Sequence, residues 1–212
     1  LEHSTLRSRL QCRAELHLFV PGSYLPHATL SYTADMHESF ADILAVGGKS
    51  NSLGRSGEVI AAVLADHGRL PELYDCMFHN DPWLRMRAAD SFEKICRVHP
   101  DWIEPYAERL ISDLATTEQA SIQWHLAQIY QTITLTSQQQ RRVIAWLTEL
   151  LSSPQVDWIV AANAMDTLAQ FSRAKLVAVS QVVPLLRIQQ QHKSAAVAKR
   201  ATKHLQAIDP TH

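Results

Sequence analysis

Apolar residues return in one pattern every 37 or 38 positions along this chain. Four segments carry them at i, i+4, i+8 and i+11: Leu84/Ala88/Phe92/Ile95, Ile122/Leu126/Tyr130/Ile133, Val160/Ala164/Leu168/Phe171 and Val197/Ala201/Leu205/Ile208. Spacings of four and three put each set on one face of a helix. A return at this period marks stacked helix pairs, each burying its apolar face on the next, rather than one globular core. The predicted fold is therefore all-α, an α-α superhelix of about five antiparallel helix pairs over residues 35–208.

Residues 1–34 do not share the pattern. Pro21, Gly22 and Pro26 interrupt any regular element there, and the segment reads as an irregular tail. A first helix is expected over Ala34–Val46, with Met36, Phe40, Ile43 and Leu44 on its stripe and Gly47-Gly48 as its stop. A second is expected over Leu53–Ala65, burying Val59, Ile60, Val63 and Leu64. Asp81-Pro82 has the form of a helix start, a carboxylate cap followed by proline in the first turn. Ser153-Pro154 repeats it, and Asp101 to Glu104 has capping-box spacing. Pro184 falls inside the helical run Lys175–Gln190, which it is expected to bend rather than end.

The segment Asp81-Pro82-Trp83-Leu84-Arg85-Met86-Arg87-Ala88-Ala89-Asp90 resembles the second-helix signature of HEAT repeats: Asp-Pro, an aliphatic-Arg pair, then Ala-Ala. The resemblance covers residues 81–95 by motif and roughly 54–208 by period. It implies a ladder between adjacent repeats built from the positions of Asp81 and Arg85. The other copies have Ile122-Gln123, Val160-Ala161 and Val197-Ala198 in place of the aliphatic-Arg pair. HEAT arrays mostly serve as binding scaffolds. Some HEAT-like proteins differ: the alkylpurine DNA glycosylases cradle damaged DNA, and the phycobilin lyases attach pigments to protein. Fold alone does not choose among these.

Charge narrows the choice. The formal net charge is −1, so no global field draws the chain to nucleic acid or anionic lipid. No apolar run approaches a bilayer span, which implies no membrane partner. Cysteines number three, an odd count that reads as reduced thiols and a cytoplasmic setting.

Cys76-x-x-His79 and Cys96-x-x-His99 have the residue types of a zinc site. The helix between them is roughly 16 residues, about 24 Å long, so one ion cannot join the two pairs. The expected reading is two buried thiols and two helix-terminal histidines. Gly47-Gly48-Lys49-Ser50 lacks the earlier glycine and preceding strand of a phosphate loop and reads as a helix stop and a polar loop; the weaker functional reading is that Lys49, Ser50 and Arg55, beside a helix start, attract an anion. His125, next to core position Leu126, reads as a structural histidine.

No catalytic set, metal site or cofactor site is predicted. The expected interaction surface comprises Lys49, Arg55, Arg85, Arg87, Lys199, Arg200 and Lys203. The leading function is a non-enzymatic scaffold for a protein partner. The alternative is a nucleic-acid binder similar to the alkylpurine glycosylases, which needs tryptophan exposed beside Arg87 and an acid, Asp90 or Asp166, in a basic groove.

Overall fold

A computed structural model of the chain describes residues 37–47 and 52–208. The expected tail at 1–34, the expected helix start at Ala34 and the candidate Lys49 lie outside the described residues. Among the described residues every regular element is helical, and there is no strand.

The first helix among the described residues is α1 (Phe40–Ala45), capped by the Ser39 hydroxyl, which accepts the Asp42 N–H at 3.1 Å. It buries Phe40, Ile43 and Leu44. In α2 (Ser56–Ala65), Val59 and Val63 are buried, Ile60 is half-buried and Leu64 is exposed. Leu64 thus departs from the expected stripe: α2 presents only its i, i+4 ridge to the core. α3 (Leu70–Cys76) leads to α4 (Pro82–Val98), where Asp81 caps as expected by accepting the Trp83 N–H at 2.8 Å. The short α5 (Pro100–Ile103) and α6 (Ala107–Asp113) precede α7 (Ala120–Thr132). Then come α8 (Ser137–Leu151), α9 (Trp158–Arg173), α10 (Val179–Gln189) and α11 (Ala195–Ile208).

The four register sets fall on α4, α7 with its C-cap Ile133, α9 and α11. Each of their side chains is buried except Ile208, which is half-buried against the same core. These helices pack in chain order: α4 on α7, α7 on α9, α9 on α11, with α2 on the free side of α4. α3 packs on α4, α8 on α9, and α10 on both α9 and α11. The register extends to the helix starts, since Asp81, Gln119 and Asp157 stand at intervals of 38 and each is an N-cap.

Two expected start signals are used differently, and one start has a signal that was not expected. Asp157, not Ser153-Pro154, caps α9, accepting the Ile159 N–H at 2.9 Å. Asp101 lies inside α5, and the Glu104 carboxylate instead accepts the Thr134 N–H at 3.0 Å. The capping box is at Thr136 and Gln139, starting α8. Pro184 sits inside α10 as expected, but α10 begins at Val179, not Lys175. Lys175 has φ 59° and closes α9: its N–H donates to Ser172 O, and the Leu176 N–H reaches back to Phe171 O, both at 2.9 Å. That paired pattern is a Schellman stop with lysine where glycine is usual.

Candidate partner-binding face

Successive helices in one register repeat the positions beside the core as well as the core itself. Met86, Trp124, Ala162 and Lys199 share one position, and Asp90, Gln128, Asp166 and Lys203 share the position one turn later. Because α4, α7, α9 and α11 lie side by side, these residues form two rows across one face. Polar bonds tie the layers along it. Gln128 donates to Asn163 Oδ1 and Gln131 to Thr167 Oγ1, each at 2.9 Å. Asp166 accepts from Arg200 and pairs with His204 Nε2, both at 2.7 Å.

Two hollows open on this face. One, of about 440 Å³, lies between α4, α7 and the start of α9; Met86, Asp90, Trp124, His125, Asp157 and Trp158 line it. The other, a shallower depression of about 600 Å³, runs over the solvent side of α11 past Lys199, Arg200 and Lys203. The face is therefore acidic and aromatic at α4–α9 and basic at α11.

The predicted interaction residues divide sharply. Lys199, Arg200 and Lys203 are exposed together on α11, although Arg200 is held by Asp166. Arg87 is not a surface residue. It is only 2% exposed, and its guanidinium donates to Ser52 O at 2.9 Å, Leu44 O at 2.8 Å and Gly47 O. It clamps the α1–α2 connection from inside. Gly47 suits that approach, because an added Cβ would meet the Gly54 Cα at 2.5 Å and Arg87 Cζ at 3.3 Å. Arg85 is half-buried and also turned inward, donating to Gln119 Oε1 and His79 O, each at 2.7 Å. Arg55 is forked between Glu38, at 2.8 and 2.9 Å, and Glu58, at 2.8 and 2.7 Å, and those carboxylates hold its pKa above the ordinary value.

Both Cys-x-x-His pairs have structural employment. Burial pushes the Cys76 thiol up to about 11 and the Cys96 thiol up to about 12, far from thiolate character at neutral pH. His79 Nδ1 accepts the Asp81 N–H at 3.0 Å, and His99 stacks on Trp102 with centroids 3.9 Å apart. Among the described residues no three His, Cys, Asp or Glu side chains stand together as a metal site. His125 is buried; desolvation, helped by Lys94 and Arg97, lowers its pKa to about 3, so the ring is neutral near pH 7.

The sequence reading missed the cleft between Trp124 and Trp158. Its signal was present: Met86 and Trp124 are 38 apart, as are Ala120 and Trp158, the same interval as the core register. Trp158 is 54% exposed, unusual for so large an apolar ring. The acid Asp90 does stand beside tryptophan as the nucleic-acid alternative required, but Arg87 does not join them.

No protein-family model, no curated protein and no solved structure matches the chain. No helix among the described residues is long and apolar enough to cross a membrane.

Proposed function

We propose that the chain is a HEAT-like array, a superhelix of stacked helix pairs, acting in the cytoplasm as a non-enzymatic scaffold for a protein partner. One observation carries this reading: the rows beside the core of α4, α7, α9 and α11 repeat in register, from a cleft lined by Trp124 and the exposed Trp158 to the exposed Lys199 and Lys203. Large aromatic side chains left partly exposed in a hollow are the usual energetic centres of protein interfaces. The Arg85–Gln119 bond adds support, because Gln119 stands where the repeat aligns with Asp81 and the HEAT resemblance implies a tie between those positions. An immobilised full-length chain is expected to retain a stoichiometric partner from its own cells. Trp158→Ala and the pair Lys199→Glu/Lys203→Glu should each release it, while Arg141→Glu on exposed α8 should not. Indifference to both face variants contradicts the reading.

Asp90 beside Trp124 and Trp158 favours a second reading, a nucleic-acid binder similar to the alkylpurine glycosylases. The inward commitment of Arg85 and Arg87 weighs against it, since phosphate contacts supply most of such affinity. Anisotropy of a labelled DNA duplex decides: binding at low salt that falls as salt rises selects the second reading, and no binding at low salt rejects it.

A further inference from the structure

We infer that the cleft between α4, α7 and α9 receives the guanidinium side chain of an arginine on the partner, an inference that rests on the protein-binding reading above. Three independent features of the cleft point to that occupant.

The first is shape. Trp124 of α7 and Trp158 of α9 supply two indole rings to one hollow of about 440 Å³, with the thioether of Met86 beside them. A flat, weakly hydrated cation stacks on an indole face, whereas a compact ammonium keeps its water. The second is charge. Asp90 and Asp157 line the cleft, and no lysine or arginine does. Lys94 takes Asp90 Oδ2 at 2.8 Å and the Ile159 N–H takes Asp157 Oδ1 at 2.9 Å. Each carboxylate keeps a second oxygen with no hydrogen-bond donor among the described residues. The third is an unused polar atom. His125 is 1% exposed, lines the cleft, and leaves Nδ1 without a hydrogen-bond partner. A buried polar atom left without a partner is costly to the fold, and the residue that bears it forms part of the cleft wall. The neutral imidazole adds no positive charge, and the two cations that act on it, Lys94 and Arg97, are paired with Asp90 and Glu93.

The opposing possibility is an anion. α7 begins in the cleft without a side-chain cap, and uncapped helix amides favour negative groups. Inorganic phosphate is therefore the informative control.

The test is an NMR titration of the full-length chain, reading the indole N–H signals of the five tryptophans. N-acetyl-arginine amide, its citrulline counterpart, N-acetyl-lysine amide and inorganic phosphate are added at matched ionic strength. Arginine amide should shift Trp124 and Trp158 saturably and leave Trp83 and Trp146 in place. The neutral citrulline analogue should bind roughly tenfold more weakly. Trp158→Ala, which removes an exposed ring and leaves the core intact, should abolish the Trp124 response. Asp90→Asn should weaken binding several-fold, with an unchanged melting curve showing that the fold survives. An equal response to citrulline, uniform shifts at all five rings, or preferential binding of phosphate or of a short oligonucleotide overturns the assignment. If arginine amide fails while Lys199→Glu/Lys203→Glu still releases the partner, the cleft assignment falls and the scaffold stands. If arginine binds but no face variant affects the partner, the scaffold falls instead.

Discussion

Arg87 joins three backbone carbonyls, of Leu44, Gly47 and Ser52, that α1 and α2 leave at their junction. A planar fork with five N–H groups can serve carbonyls on different sides at once, which lysine cannot. Replacing it with alanine strands those acceptors and leaves a cavity, so Arg87→Ala should cost about 3 kcal/mol or more in urea unfolding. Arg87→Lys should recover only a minor part. A loss below 1 kcal/mol would show that water replaces the guanidinium. His125 makes a second residue-scale statement. Its pKa is about 3 in the folded chain against an ordinary 6.5, so as pH falls from 6.5 towards 3 the unfolded chain binds a proton that the folded chain refuses. Stability is full above pH 6.5 and declines through that window. His125→Phe should flatten the decline between pH 6 and 4.5, read as denaturation midpoints at successive pH values. An unchanged slope would mean that the ring is not excluded from protonation. His125 was legible as a structural histidine from its neighbour Leu126, whereas the role of Arg87 was not, because the carbonyls it holds belong to residues 35 to 43 positions away.

Local chemistry fixed helix ends where a single residue suffices and misled where two compete. Asp81-Pro82 was readable because the carboxylate and the ring act within one turn. Ser153-Pro154 offered the same device four residues before Asp157, and Asp157, itself a capping residue that accepts the Ile159 N–H, takes the start of α9. Lys175 carries no stop signal of its own; its φ of 59° is imposed by the Schellman bonds that end α9. A side chain in that region is strained by roughly 1 kcal/mol relative to glycine, so Lys175→Gly should raise stability by about that amount in thermal unfolding. A decrease would show that the lysine side chain contributes more than its backbone strain removes. The core stripe gives a matched pair of expectations. Phe92→Ala should cost about 3–5 kcal/mol, since Phe92 is fully buried between Tyr74 and Tyr106. Ala164→Trp should also destabilise, because the stripe position on α9 lies fully buried against neighbouring helices. Tolerance of tryptophan there would mean that the layers are not close-packed.

At the scale of the molecule, the period carried most of the information. One interval located the core residues of four helices, because a repeated unit must bury the same face each time, and the same interval recurs in the N-caps Asp81, Gln119 and Asp157. Two departures from the apolar stripe lie in the first helices described, where Leu64 turns outward and Arg87 replaces apolar packing with a polar clamp. The proposed partner-facing surface was only half legible. Lys199 and Lys203 could be read from one helix, whereas the cleft of Trp124 and Trp158 needs three helices in place before it exists. The central claim is that α4, α7, α9 and α11 are successive layers in one register. Lys94, Thr132, Gln170 and Ala207 share a register position that reaches solvent on each of those helices. Spin labels placed pairwise at these sites, in a chain with its three cysteines replaced, measure the layering directly by pulsed electron paramagnetic resonance. The distance from 94 should grow by about 10 Å per layer, from 132 to 170 to 207. A 94–207 distance no longer than 94–132 would describe a closed bundle and contradict the account.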